Sequence, residues 1–133
     1  MRVMLDTNVL ISAFIFRSPV LDKVVEVASA QGNRLVLSTF VVDEARDVVS
    51  RKWPARSLDL EIYLALLDYD TIVTPRTPDP GLFEIRDPKD YPVLYSAVLD
   101  GSDVLVTGDK DFEGVEAGGV EVLTPAAFVE RYS

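Results

Sequence analysis

The chain has 133 residues, 48% of them hydrophobic, with no internal repeat, which suits one compact domain spanning residues 1–133 with a substantial core. It contains neither cysteine nor histidine, which excludes disulfides, thiolate nucleophiles, Cys/His zinc sites and imidazole catalysis and leaves carboxylates, hydroxyls, amines or a bound ion to do chemistry. A net charge of −9 excludes attraction to nucleic acid through bulk charge, so an anionic substrate needs a metal or a local basic patch.

Arg2 to Leu5 reads as a strand apolar on both faces, and Val9 to about Phe16 as a buried helix. Between them stands the polar island Asp6-Thr7-Asn8. Removing a carboxylate from water costs on the order of several kcal/mol unless a cation, hydrogen bonds or protonation relieves it. The island also interrupts what would otherwise resemble a signal peptide, and no apolar run reaches the roughly 18 residues of a membrane span. A soluble, cytoplasmic protein is expected.

Ser18-Pro19 provides an N-cap and first-turn proline for a second helix to about Ala30, closed by Gln31-Gly32-Asn33. Leu35 to Leu37 is the next strand. Ser38 caps a third helix with Val41, Val42, Ala45, Val48 and Val49 at helical spacing; Glu44 flanks this stripe and is the acid best placed to face inward, while Asp43, Arg46 and Asp47 point more fully to solvent. Lys52-Trp53-Pro54 ends it. A fourth helix from about Ser57 to Asp68 carries more apolar residues than one buried stripe requires, which suggests a subunit or partner contact. Thr71 to Thr74 reads as a strand, Pro75 to Gly81 as a loop, and about Pro92 to Asp100 as a helix stopped by Gly101. Strands at Val104 to Val106 and Val120 to Leu123 follow, with a last helix starting at Thr124-Pro125. The alternation predicts an open α/β fold: a mainly parallel sheet with helices on both faces.

In such sheets the functional crevice lies beyond the carboxyl ends of the strands. Four acids are expected there: Asp6 after the first strand, Glu44 early in the helix after the second, Asp90 before the late helix, and Asp109 after the late strand. Each has an ordinary reading as well. Asp90 could cap a helix, Asp109 and Asp111 could be turn residues, and Glu44 could be a surface acid. Gathered together, the carboxylates repel one another unless a divalent cation, Mg²⁺ or Mn²⁺, holds them ionised.

The segments LDTNVLISA, S-x5-E at Ser38 to Glu44, RDPKDYPVLYSA at Arg86 to Ala97, LVTGDKDF at Leu105 to Phe112, and the VLTPAAF ending together resemble the PIN domains, specifically VapC-like toxin nucleases. The resemblance implies a metal-dependent ribonuclease with Asp6, Glu44, Asp90 and Asp109 as the acidic quartet around Mg²⁺ or Mn²⁺. It implies polar support from Asn8, Thr107 and Asp111, and Tyr91 stands where many relatives have a further acid. It also implies a protein antitoxin as partner and a homodimer, for which the second and fourth helices offer apolar faces. Hydrolysis by metal-activated water is the expected chemistry. Arg46, Arg51, Lys52 and Arg56 around Trp53 form a basic patch that could contact RNA, or an ordinary solvated helix end.

Three other readings make distinct demands. A phospho-receiver domain wants an acid pair after the first strand, where Asp6 is alone. A haloacid-type phosphatase wants a second Asp where Asn8 stands. A non-catalytic binding module would show no metal-dependent cleavage.

Overall fold

A computed structural model describes residues 1–77, 79, 81–85, 87–112, 115 and 117–133. Pro78 and Pro80 of the proline-containing loop, and Arg86 of the late motif, lie outside the described residues. Five parallel strands form one sheet: β1 (Arg2–Leu5), β2 (Arg34–Ser38), β3 (Asp70–Ile72), β4 (Val104–Val106) and β5 (Glu121–Leu123), in the order β3-β2-β1-β4-β5. The helices are α1 (Thr7–Ile15), α2 (Pro19–Ala28), α3 (Thr39–Lys52), α4 (Ser57–Leu66), α5 (Tyr91–Asp100) and α6 (Pro125–Tyr132). They cover the sheet on both faces, as the alternation predicts. No helix of the described residues is long and apolar enough to cross a membrane.

The core follows from the composition of the middle strands. Val3, Met4 and Leu5 of β1, Leu35, Val36 and Leu37 of β2, and all three residues of β4 are buried, because helices lie above and below them. Edge strands β3 and β5 are only partly buried along their length.

Local signals set the helix ends. Ser18 Oγ accepts from Leu21 N–H, Ser38 Oγ from Val41 N–H and Thr124 Oγ1 from Ala127 N–H, each satisfying an amide that the helix leaves unpaired. Gly101 closes α5 in the left-handed region, φ 71°, where a Cβ would be strained.

Both ends of β3 differ from expectation for tertiary reasons. β3 begins at Asp70 and stops at Ile72, short of Thr74. Asp70 is drawn into the sheet edge by two guanidiniums: Arg2 Nη1 reaches Oδ2 at 2.9 Å and Arg34 Nη2 reaches Oδ1 at 2.8 Å. Thr74 leaves the sheet because its N–H donates to Thr39 Oγ1 at 2.9 Å, on α3. The fourth helix ends at Leu66, two residues early, and Leu67 already has extended backbone.

Candidate active site

The strand order reverses between β1 and β4, so a crevice opens where their carboxyl ends part. Asp6 leaves β1 at that point. Its N–H donates to Val106 O at 3.0 Å, which ties the end of β1 to β4, and its carbonyl accepts from Leu10 N–H at 3.1 Å to start α1. The side chain is only 5% exposed. Oδ1 accepts from Thr7 N–H at 2.7 Å and Oδ2 from the Thr107 hydroxyl at 2.7 Å. Burial pushes the Asp6 carboxyl up, the bonds from Thr107 and Thr7 pull it down, and the charges of Glu44 and Asp109 push it up again; the net direction is upward.

Thr107 links two acids. While donating to Asp6, its oxygen accepts from Asp109 N–H at 3.0 Å, and Asp109 Oδ1 in turn accepts from Asp111 N–H at 2.9 Å. The loop after β4 is thereby folded back over the end of β1.

Asp90 stands at the start of α5 with helical backbone, φ −86° and ψ −11°, and its side chain caps nothing. The capping role falls to Asp87, whose Oδ1 accepts from Lys89 N–H at 3.0 Å. Asp90 Oδ2 is buried and has no hydrogen-bond partner. Burial first, then the charges of Asp109 and Asp6, a carboxyl–carboxyl hydrogen bond with Asp109 and the charge of Asp87 push the Asp90 carboxyl up to about 7.

The expected quartet is therefore brought within electrostatic reach at one rim: Asp6 senses Glu44 and Asp109, and Asp90 senses Asp109 and Asp6. Glu44, expected to face inward, is instead exposed on α3, because Val41, Val42, Ala45 and Val49 take the buried face of that helix, and Asn8 is exposed on α1. A second grouping overlaps the first. Among the described residues, Asp87, Asp90 and Asp111 have carboxylate oxygens all within 4.8 Å of one another. Asp90 belongs to both groups.

Asp87 was not among the expected site residues. The only signal for it in the sequence is its place three residues before Asp90 across Pro88; the short 3₁₀ turn Pro88–Asp90, which Asp87 caps, keeps the two close. Thr7 is likewise unanticipated, with a buried hydroxyl that lacks a partner. Tyr91 supplies no carboxylate; its hydroxyl donates to Asp79 O and accepts from Leu82 N–H at 3.2 Å, and its ring stacks on Phe83 at 4.4 Å.

The basic patch at the end of α3 is largely engaged with acids. Arg46 Nε reaches Glu61 at 2.6 Å, Arg51 Nε reaches Asp47 at 3.2 Å, and Arg56 Nε reaches Asp59 at 3.0 Å while its guanidinium lies over the Phe14 ring. A phosphate there competes with those carboxylates. Lys52 closes a 14-residue helix whose first turn is at the rim, so it lies roughly 12 Å from Glu44 along the helix axis and farther from that first turn.

A family model for the PIN domain matches residues 2–111. The chain belongs to the PIN-domain family. PIN domains are nucleases, and in this one Asp6 follows β1, Asp109 follows β4 and Asp90 precedes α5. Its fold matches a chain in the crystal structure of VapBC2 from Rickettsia felis bound to a DNA fragment from their promoter, with a TM-score of 0.70 and 18% identity, over 92% of this chain and 98% of that one. At that identity the likeness is one of fold. No curated protein matches the sequence.

The residues at the rim suit a hard divalent cation. The donors are all oxygens, one buried carboxylate oxygen has no partner, and the Asp90 carboxyl is driven toward protonation by burial and by its acidic neighbours.

Proposed function

We propose that residues 1–133 act as one metal-dependent endoribonuclease domain, a VapC-like toxin that hydrolyses RNA phosphodiester bonds. The observation that carries this reading is Asp90 Oδ2, a buried carboxylate oxygen with no donor, set among acids at the switch point of a PIN-domain sheet. Asp6, Glu44, Asp90 and Asp109 are the residues proposed to hold Mg²⁺ or Mn²⁺, with Asp87 and Asp111 adjoining them through Asp90. When bound, the cation lowers the pKa of a water ligand and offsets the charge of the scissile phosphate.

The chain's own groups do the rest. Thr107 and Thr7 N–H keep both Asp6 oxygens in hydrogen bonds, fixing the orientation of a buried carboxylate. Asp109 is held by its own backbone N–H on Thr107 and by Asp111 N–H on its carboxylate, so the two acids keep a constant relation through one hydroxyl. Burial and the neighbouring charge of Asp109 favour the protonated form of Asp90 while no cation is present. The buried walls of β1 and β4 limit the water around this group.

Support for partners comes from two features. The structural relative is part of a VapBC complex, which favours a protein antitoxin for this chain too. On α4, Leu58, Ile62 and Leu66 follow one another at i, i+4 and i+8 and are 71%, 51% and 81% exposed, a stripe suited to a homodimer or antitoxin contact. A cytoplasmic setting, with no membrane attachment, is part of the same proposal.

The test is cleavage of total RNA with Mg²⁺, with Mn²⁺ and with EDTA, beside Asp6→Asn. Wild type should cut only with the metals, and Asp6→Asn should retain its fold and lose cleavage. Undiminished activity of Asp6→Asn would remove the assignment, and a folded wild type that cleaves nothing would favour a non-catalytic binding module.

A further inference from the structure

The segment that joins β3 to α5 is fastened to α5 at both of its ends. At the start, Ser96 Oγ gives its proton to Pro92 O at 2.8 Å, so in the 2.8 Å bond between the Ser96 and Thr74 hydroxyls Thr74 is the donor. The same Thr74 oxygen accepts from Phe40 N–H at 3.3 Å, and Thr74 N–H donates to Thr39 Oγ1 at 2.9 Å. This end is therefore tied to α3 as well as to α5.

At the other end the fastening is Tyr91, the residue that follows Asp90. Its hydroxyl donates to Asp79 O and accepts from Leu82 N–H at 3.2 Å. In an ordinary four-residue turn the first carbonyl and the fourth N–H bond to each other. Here the Tyr91 hydroxyl stands between them and bonds to both. Asp79 Oδ1 accepts from Gly81 N–H at 3.0 Å, which holds the same turn from within.

The ring adds a second grip. Tyr91 and Tyr95 are one turn apart on α5, so their rings neighbour each other, with centroids 5.8 Å apart. Phe83 stacks on Tyr91 at 4.4 Å and 16°, and Phe83 and Ile85 both pack against the core. Stacking holds two rings together but tolerates offset within the plane, whereas the two hydroxyl bonds are directional. The hydroxyl is thus what fixes this segment against sliding along α5.

The segment so held ends at Asp87, two residues beyond Ile85. The Asp87 carboxylate lies with those of Asp90 and Asp111, all within 4.8 Å of one another. A local bond also acts on Asp87, which caps Lys89 N–H at 3.0 Å. That cap fixes Asp87 relative to the 3₁₀ turn, while the approach of the chain from Phe83 and Ile85 fixes it from the other side.

We infer that Tyr91 is a positioning residue for the acids: by clasping the turn at Asp79 and Leu82 to the start of α5, its hydroxyl sets how Asp87 sits against Asp90 and Asp111. The inference rests on the metal-dependent nuclease reading above and adds a residue that itself holds no metal.

The experiment measures Mn²⁺ binding to the full chain from the loss of the free Mn²⁺ EPR signal, beside thermal melts and brief chymotrypsin digestion. Tyr91→Phe keeps the stacked ring and removes only the hydroxyl. Both of its bonds are exposed, so the variant should melt within a few degrees of wild type. It should be cut several-fold faster after Leu82 or Phe83, and should bind Mn²⁺ about tenfold more weakly. Asp87→Asn should weaken Mn²⁺ binding too, and Tyr91→Phe added to it should cost little more, because the hydroxyl acts through Asp87. A Mn²⁺ affinity for Tyr91→Phe equal to wild type overturns the inference and leaves the Lys89 cap to place Asp87. Full additivity of the two losses overturns it as well, since Tyr91 then acts by another route. A folded wild type that binds no Mn²⁺ removes the nuclease reading and the inference together, whereas Mn²⁺ binding and RNA cleavage with an insensitive Tyr91→Phe remove the inference alone.

Discussion

The Thr107 hydroxyl donates a 2.7 Å hydrogen bond to Asp6 Oδ2 across the junction of β4 and β1, joining residues 101 positions apart. Thr107→Val keeps the shape of the side chain and removes the donor. Because this bond pulls the Asp6 carboxyl down, its loss leaves burial and the neighbouring acids to push it further up. The acidic limb of the pH–rate profile should move to higher pH, and RNA cleavage should fall about 10- to 100-fold, as for other groups that orient metal-binding carboxylates. Thr107→Ser should recover most of both. A Thr107→Val profile superimposable on wild type would remove Thr107 from the site.

Asp90 gives the metal-free protein a definite pH dependence. Its folded pKa of about 7 lies above the ordinary 3.8, so between those values the folded chain binds more protons than the unfolded one. Stability from this group is complete below about pH 4 and declines as pH rises through about 7. Thermal melts in EDTA should therefore show Tm falling over that window, with a smaller fall for Asp90→Asn. Adding Mg²⁺ or Mn²⁺ above pH 7 should raise the wild-type Tm, because a ligand of the folded state alone stabilises it. Parallel Tm profiles for wild type and Asp90→Asn in EDTA would contradict this.

At the opposite edge the sign reverses. Arg2 and Arg34 are direct partners in the β1–β2 register, two like charges held side by side, and Asp70 bridges them. Hydrogen bonds from Arg34 and then Arg2 lower the Asp70 carboxyl. Its contribution is present above the ordinary carboxylate pKa and is lost as pH falls through the lowered one. Asp70→Asn should melt below wild type at neutral pH, and the difference should shrink in strong acid and in high salt. An equal deficit at every pH would point to packing instead.

The α4 stripe makes a prediction about association. Leu58 and Leu66 are exposed while Leu60 and Leu64 of the same helix are buried, so the outer face can be changed without opening the core. Leu58→Lys with Leu66→Lys should leave Tm within a few degrees of wild type and shift sedimentation toward the monomer. If wild type is already monomeric at the same concentration and the variant binds an antitoxin normally, α4 is not a contact surface.

Much of the fold was legible because it depends on near neighbours. The caps at Ser18, Ser38 and Thr124 and the stop at Gly101 are made by residues within a few positions of the helix ends they serve. The apolar runs of β1, β2 and β4 announced strands covered on both sides, and the alternation of elements announced a parallel sheet. Asp6, isolated between apolar segments, was conspicuous for the same local reason. Less was legible where contacts join distant segments. That β3 starts at Asp70 depends on Arg2 and Arg34, and that it stops before Thr74 depends on Thr39.

From its sequence alone this protein determined its elements, its α/β class and the acids available for a site, since those follow from composition and spacing along the chain. The tertiary structure decided which acids meet. Only the order β3-β2-β1-β4-β5 sets β1 beside β4, bringing the Thr107 hydroxyl onto Asp6 and Asp87 and Asp111 around Asp90. Such pairings depend on strand order and register across tens of residues, which hydrophobic periodicity does not encode because it reports only which face of each element is buried.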